Sequence, residues 1–418
     1  MSPSQTLHPA DLSHDDIAAW RAIAAAEPAF ASPLLGPDFA RAVGAVRPDA
    51  RVAIWRRDGE AVGFLPHHLK TGGLARPIGA PLSDYHALVS RAPLPATDAL
   101  AEAGLGALRF TGLIDPHGMF DAAVRSRQVA YVIELSQGAD AYLEALRAQS
   151  PKRFKNYRRL QSKVARELGE LTLSAPDEDR AAFDQLIAWK RDQLQRTGAH
   201  DFLAPDWTRE LMGRLFSTTQ GDFRGLMITL RVDGKVVAGH FGVRLADVYH
   251  PWIAATDPEM GAYSVGQLFL LQAIAAMPDL GLRTYDLGPG HDHYKAPYAL
   301  THREIGEGTA LAAGAAGWRS RLGEGAWRLA GAGCGPLAGR VRRRFETISD
   351  VEVTLSGRMR GLANAVASKA RRTGAEIEGG VRHVGNGQPD HPNPAPAFGP
   401  ERGGAQRLCA TGRASGAP

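Results

Sequence analysis

Met227-Ile-Thr-Leu-Arg-Val232 runs into Asp233-Gly234 and then Val236-Val-Ala-Gly-His-Phe241, and the reading of this stretch decides the fold. Two β-rich runs joined by Asp-Gly form a hairpin, because these residues tolerate the positive φ angles that a two-residue turn demands. The same grammar occurs earlier, as Val52-Ala-Ile-Trp-Arg-Arg57, Asp58-Gly59 and Ala61-Val-Gly-Phe-Leu65. Downstream of the two hairpins, Leu108-Arg-Phe-Thr-Gly112 and Thr284-Tyr-Asp-Leu-Gly288 occupy matching places, each a short strand ending at a glycine turn. A duplicated α/β unit explains all four segments. The alternative is coincidence between two common hairpins.

Within the second unit the hairpin Gly225–Arg244 is followed by a strand, Val248-Tyr-His-Pro-Trp-Ile-Ala-Ala255, and a loop from Thr256 to Tyr263. A helix is expected from Val265 to Met277. Ser264 and Gln267 have capping-box spacing at its start, and Pro278 and Gly281 end it. The strand Thr284–Leu287 then completes the order strand, helix, strand of an acyl-CoA-binding α/β fold. A dinucleotide-binding unit fits poorly, since no Gly-x-Gly-x-x-Gly follows the first strand.

The fold class expected is therefore α/β (α+β), with two tandem domains, each a mixed sheet flanked by helices. Residues 1–131 form the first domain and 132–308 the second, catalytic one. A basic, partly helical extension covers 309–384, and a Pro/Gly/Asn-rich tail over 385–418 has too little to bury to stay ordered. Both cysteines, Cys334 and Cys409, lie in the Gly-rich end, which argues against a disulfide framework or a cysteine zinc site. No basic-then-apolar leader and no run of about 18 apolar residues appears, so a cytoplasmic location is expected, with attachment to the inner membrane surface as a variant.

The net charge of +5 is uneven. From Leu311 onward 16 Lys and Arg face 8 Asp and Glu, which leaves the first 310 residues at −3. The basic character belongs to the C-terminal region, and a stable nucleic-acid complex with the body is not expected. Arg340-Val-Arg-Arg-Arg344 and the cations of 357–372 suit an anionic regulator or a membrane surface; an inert basic extension is the alternative.

The most distinctive segment is Tyr285-Asp-Leu-Gly-Pro-Gly-His-Asp-His-Tyr-Lys-Ala-Pro-Tyr298. It resembles the (F/Y)-D-(F/L)-G-x-G-x-x-x-Y-K signature of GNAT-like N-acyltransferases of the CelD-like branch, associated with cellulose and exopolysaccharide biosynthesis. These are similar in turn to the Fem peptidyltransferases with their two tandem GNAT-like domains. Ser150-Pro-Lys-Arg-Phe-Lys-Asn-Tyr-Arg-Arg-Leu160 looks like the basic segment that opens the second domain of the family. The resemblance covers roughly 28–304. It implies acyl transfer, with Lys295 stabilising the oxyanion and acetyl-CoA or another acyl-CoA as co-substrate.

Read from their own chemistry, these residues allow several roles. An ammonium at Lys295 aimed at a tetrahedral oxyanion is sound electrostatic catalysis, and a phosphate clamp is its alternative. Tyr294 flanks it. Asp286 is a candidate base or orienter, with a core hydrogen-bonding role or a water chain as alternatives. Gly288 and Gly290 allow backbone to approach a ligand closely. From Pro151 to Leu168 seven Lys and Arg accompany one acid, so the helix, with Phe154, Tyr157, Leu160, Val164 and Leu168 inward, presents a cationic strip. Arg153, Arg158 and Arg159 on it suit a phosphate-bearing small molecule or lipid-linked sugar; a solvated face is the alternative. His240 points toward the same end of the sheet or is a satisfied core histidine.

No metal is expected: His291 and His293 lack the further convergent ligands a site needs. Gly261, Ser264 and Gly266 mark the place where a helix N-terminus holds a pyrophosphate. The family's Q/R-x-x-G-x-G/A is incomplete in Asp257-Pro-Glu-Met-Gly-Ala-Tyr-Ser-Val-Gly-Gln267, which leaves an acyl carrier protein or aminoacyl-tRNA open as donor. The leading reading is N-acetylation of an amino sugar or related amine for an exopolysaccharide or envelope polymer. A Fem-like tRNA-dependent transferase and a non-catalytic ligand sensor on the same fold are the competing classes.

Overall fold

A computed structural model describes residues 4–363 except 291, 324, 326–328, 330–335, 354, 355 and 362. The tail from Gly385 and both cysteines lie outside the described residues, as does most of the second cationic segment.

The first half begins with β1 (Gln5–Leu7), α1 (His14–Ala26) and α2 (Pro37–Gly44). Strands β2 (Ala50–Arg57), β3 (Glu60–Lys70), β4 (Leu74–Pro77) and β5 (Val89–Ser90) follow. Then come α3 (Ala96–Glu102), β6 (Ala107–Leu113) and β7 (Val124–Glu134). Two helices, α4 (Ala139–Gln149) and α5 (Pro151–Glu167), lead into β8 (Leu171–Ser174), α6 (Arg180–Thr197) and α7 (Asp206–Ser217). The second half continues with β9 (Phe223–Val232), β10 (Lys235–Leu245), β11 (Val248–Thr256), α8 (Val265–Ala276) and β12 (Thr284–Pro289). The short α9 (Asp292–Lys295), β13 (Thr301–Leu311) and α10 (Pro336–Val351) complete the elements used below.

The strands form one mixed sheet in the order β1-β2-β3-β4-β6-β13-β7-β12-β11-β10-β9-β8, with β5 paired to β3. The order reads alike from either end, with β1 to β4 matching β8 to β11, β6 matching β12 and β7 matching β13. The match extends to direction: β4–β6 and β11–β12 are parallel, while the remaining pairings are antiparallel. At the centre the last strand of each half crosses over, so β13 pairs with β6 and β7 pairs with β12. Both strands run through the positions, 131 and 308, where the sequence reading divides the chain. The mixed α/β class expected from the sequence is the one found.

Local chemistry explains the hairpins. Asp58 and Gly59 have φ of 50° and 87°, and Asp233 and Gly234 have 48° and 77°. Both turns use the doubly positive backbone for which Asp-Gly is selected. Helix α1 starts at Ser13, whose hydroxyl accepts the Asp16 N–H, and α6 starts at Asp179 and ends on left-handed Gly198. Pro151 opens α5, which buries Tyr157, Leu160 and Val164 at helical spacing and leaves its cations outward.

One face of the sheet carries α1 and α2 beside α6 and α7. These share a core in which Trp20, Phe39, Phe64 and Tyr85 are contiguous with Phe183, Leu211 and Phe241. The other face packs α3 on the first half, and α4, α5 and α8 on the second. The described part of the basic extension is an anchor. Arg76 Nε donates to Asp350 at 2.9 Å, Arg47 Nη1 donates to the Asp350 carbonyl at 3.1 Å, and Trp207 Nε1 donates to the Val351 carbonyl at 2.8 Å. Helix α10 is thereby tied to both halves.

Candidate active site

Strands β11 and β12 pair only at Val248–Thr284 and Tyr249–Tyr285, although both continue well beyond. Their divergence opens a wedge, and a cavity of about 710 Å³ fills it. Ala254, Ala255 and Thr256 of β11 form one wall, and Leu287 and Pro289 of β12 form the other. Gly261 of the loop before α8 and Gly266 of its first turn also line it, as do Lys190, Asp84, Trp189 and Trp252.

The matching wedge of the first half is plugged. Strands β4 and β6 also pair at only two positions, Leu74–Ala107 and Ala75–Leu108, before separating. The loop after β4 re-enters here. His86 N–H donates to the Gly112 carbonyl at 3.0 Å, Ile114 N–H donates to the His86 carbonyl at 2.9 Å, and a β-carbon on Gly112 would fall 1.9 Å from the Asp84 carbonyl oxygen. Gly112 is needed to admit the plug. That same loop carries the Asp84 side chain into the open wedge of the second half.

Five residues from the sequence reading meet in the cavity wall: Lys295, Tyr294, His240, Gly261 and Gly266. Lys295 Nζ donates to the Pro289 carbonyl at 2.7 Å, which fixes the ammonium at the end of β12. The Tyr294 hydroxyl donates to the Gly266 carbonyl at 3.3 Å in the first turn of α8, and burial pushes its pKa up, so it stays protonated. His240 is both a packed core histidine and a wall residue. Its Nδ1 lies 2.6 Å from the Tyr285 hydroxyl and its ring sits 4.6 Å from Phe269. Burial first, then the charges of Lys295 and Lys190, lower its pKa to about 3, which makes it a neutral imidazole.

Other expectations change. Asp286 is fully buried, outside the cavity wall and surrounded by hydrogen-bond partners. Its Oδ1 accepts the Tyr85 hydroxyl at 2.6 Å and the Gly288 N–H at 3.0 Å, and Arg303 Nη2 lies 3.5 Å from Oδ2. Burial alone would raise its pKa, but His250, Arg303 and Tyr85 outweigh that and hold it below the ordinary carboxylate value. Gly288 has φ of 70°, and the close approach it permits is by a protein group: a β-carbon there would lie 2.7 Å from Asp84 Oδ2. Gly290, at φ 74°, has open space around it.

At the start of α8, Ser264 adopts a left-handed φ of 50° and its side chain makes no cap, so the expected capping box does not form. The first N–H groups of α8 keep no hydroxyl partner, beside Gly261 and Gly266 in the cavity wall. Arg158 and Arg159 on α5 are exposed and outside the wall. Arg159 donates to its neighbour Asn156, and half-buried Arg153 lies near the hydrogen-bonded hydroxyls of Tyr157 and Tyr298.

Residues 151–296 match a family model described as an acetyltransferase (GNAT) domain. The matched span covers α5 through α9 and contains both strands of the open wedge, whereas Asp84 lies outside it. No curated protein matches the chain. Among solved structures, the C-terminal domain of a protein described as a lysylphosphatidylglycerol synthetase from Agrobacterium fabrum is similar at 14% identity, over 74% of this chain and 95% of that one, with a TM-score of 0.42. FemX is similar at 11% identity over 73% and 96%, with a TM-score of 0.46. A tandem GNAT protein from the clavulanic acid biosynthesis pathway is similar at 12% identity over 75% and 99%, with a TM-score of 0.41.

Two residues of the site were missed from sequence. Lys190 sits on the apolar stripe of α6, four residues from Leu186 and Leu194, and a lysine on such a stripe was the available signal. Burial first and then Lys295 lower its pKa, with Asp84 opposing. Asp84 belongs to Ser83-Asp84-Tyr85-His86, a polar run inside an otherwise apolar segment. Among the described residues no group of three His, Cys, Asp or Glu side chains is arranged for a metal, and the side chains of His291 and His293 lie outside them. No described helix is long and apolar enough to cross a membrane. A larger groove of about 1220 Å³ between α1, α2 and α7 holds none of the residues singled out from sequence, and its Arg21 and Arg214 are paired to Asp38 and Glu210.

Proposed function

We propose that the chain is an N-acyltransferase that takes its acyl group from acetyl-CoA and gives it to the amine of an amino sugar destined for an exopolysaccharide or envelope polymer. The observation that carries this reading is the open wedge between β11 and β12, with the uncapped start of α8 and Lys295 both in its wall. An extended diamide arm such as pantetheine suits a strand edge whose backbone groups lack a neighbouring strand. Amides at the start of α8 suit the pyrophosphate, through the positive end of the helix dipole.

With the donor so laid, its thioester carbonyl falls toward Lys295. An ammonium there stabilises the oxyanion that forms when the amine attacks, and Lys190 adds to the same positive field. Trp189 and Trp252 offer indole faces against which a sugar ring packs. A cytoplasmic location fits the use of acetyl-CoA, and a lipid-linked sugar acceptor fits work at the inner face of a membrane.

The experiment is label transfer. Full-length protein is incubated with radiolabelled acetyl-CoA and a panel of hexosamines, free and as nucleotide or polyprenyl derivatives, in parallel with charged tRNA as donor. Label moving from acetyl-CoA to an amine supports the reading. Label moving only from charged tRNA replaces it with a Fem-like transferase.

A further inference from the structure

We propose that Asp84, delivered from the first half of the chain, is the catalytic residue that accepts the proton of the acceptor amine, and that His250 is its positioning residue. The proposal rests on the acyl-transfer reading above and commits the acceptor to an amine. Of the carboxylates in the cavity wall, Asp257 is engaged in accepting the Glu259 N–H at 2.9 Å, at the loop end. Asp84 lies at the end near Lys190, with 33% of its side chain exposed.

Its support runs inward through buried groups. Asp84 Oδ2 is 3.0 Å from His250 Nε2, and His250 Nδ1 is 3.6 Å from Asp286 Oδ1. His250 and Asp286 have no exposed side-chain surface. The groups facing His250 are Asp84 and Tyr85 from the re-entrant loop and Asp286 from β12, with Arg303 of β13 beyond, on the far side of Asp286. The absent β-carbon of Gly288 leaves room for the Asp84 carboxylate against β12. Two carboxylates facing one imidazole favour its charged form, and a cation in that place holds the Asp84 carboxylate still. Burial alone would lower the pKa of His250, but Asp286 and Asp84 raise it to about 9.

The amine nitrogen attacks the thioester carbon, forming the C–N bond while Lys295 faces the oxyanion. The N–H proton passes to the Asp84 carboxylate. The C–S bond then breaks, and the thiolate leaves with the bonding pair and takes up that proton through water. Amine and thioester become amide and thiol, with nothing else consumed. A simple counter-ion to Lys190 is the competing role for Asp84.

The test uses the full chain, acetyl-CoA as donor, glucosamine and a panel of other primary amines as probes, and thiol release as readout. Asp84→Asn keeps an acceptor for His250 and is expected to lower kcat by roughly 100-fold or more, the span of general-base catalysis, with acetyl-CoA binding unchanged by calorimetry. Asp84→Glu is expected to recover part of the rate. Wild-type kcat is expected to fall as pH rises through about 9, and His250→Gln to move that limb, which a purely structural histidine does not do. Wild-type kcat in Asp84→Asn, or a rise in KM alone, overturns the base assignment and leaves the enzyme reading standing. A wild-type protein that binds acetyl-CoA and releases no thiol with any amine overturns both.

Discussion

Gly288 and Asp84 are fitted to each other across the two halves of the chain. A β-carbon on Gly288 would lie 2.7 Å from Asp84 Oδ2, and Gly288 holds a φ of 70° that side chains disfavour. Gly288→Ala is expected to cost ~1–3 kcal/mol from backbone strain alone. Melting should drop by several degrees, since each kcal/mol is worth roughly 2–4 °C in domains of this size class. Differential scanning calorimetry reads it, and an unchanged midpoint contradicts the fit.

Lys295→Ala is expected to lower kcat by roughly 10²–10³, the range for loss of one oxyanion donor. Acceptor KM should move little, because a contact made in the transition state costs little in the ground state. Steady-state kinetics separate the two, and a lost acetyl-CoA affinity at unchanged kcat makes Lys295 a phosphate clamp.

Arg158→Ala is expected to leave KM for acetyl-CoA unchanged at low and high salt, because Arg158 is exposed and outside the cavity wall. Salt-dependent loss of donor binding, the signature of an ionic contact, contradicts that placement.

His250 also sets a pH dependence of stability. Its folded pKa, about 9, lies above the ordinary 6.5, so its contribution is complete below pH 6.5 and is lost as pH rises through about 9. That shift corresponds to roughly 3 kcal/mol at full effect. Chemical denaturation at pH 6 and pH 10 should show a larger loss in the wild type than in His250→Gln. Buried His67, His68, His86 and His240 act in the opposite sense. Their pKa values are lowered to about 4, 4, 3 and 3 by burial first, so they favour the fold above pH 6.5 and withdraw that support as pH falls.

What the sequence disclosed followed from how local each signal is. The Asp58-Gly59 and Asp233-Gly234 turns were legible because the backbone they need is written in two residues. Helix α5 was legible from its apolar spacing. The exchange of β7 and β13 was not, since alternation along a strand tells which face is buried and not which strand lies beside it. The cap at Ser264 was misread because hydroxyl-to-glutamine spacing says nothing of a left-handed φ. Asp286, at a strand end, reads from sequence as a base, an orienter or a core hydrogen-bonding group. The strand's partners, Tyr85, His250 and Arg303, come from three distant segments and turn it inward. Asp84 and Lys190 acquire meaning only when the re-entrant loop and α6 meet over the second wedge.

The central claim is that the donor occupies the wedge between β11 and β12 and not its plugged counterpart. Hydrogen–deuterium exchange of the full chain with and without acetyl-CoA tests it most directly. Protection is expected in 253–267 and 287–295, with 74–79 and 107–113 unchanged. Protection confined to the first-half segments, or to the groove between α2 and α7, contradicts the account.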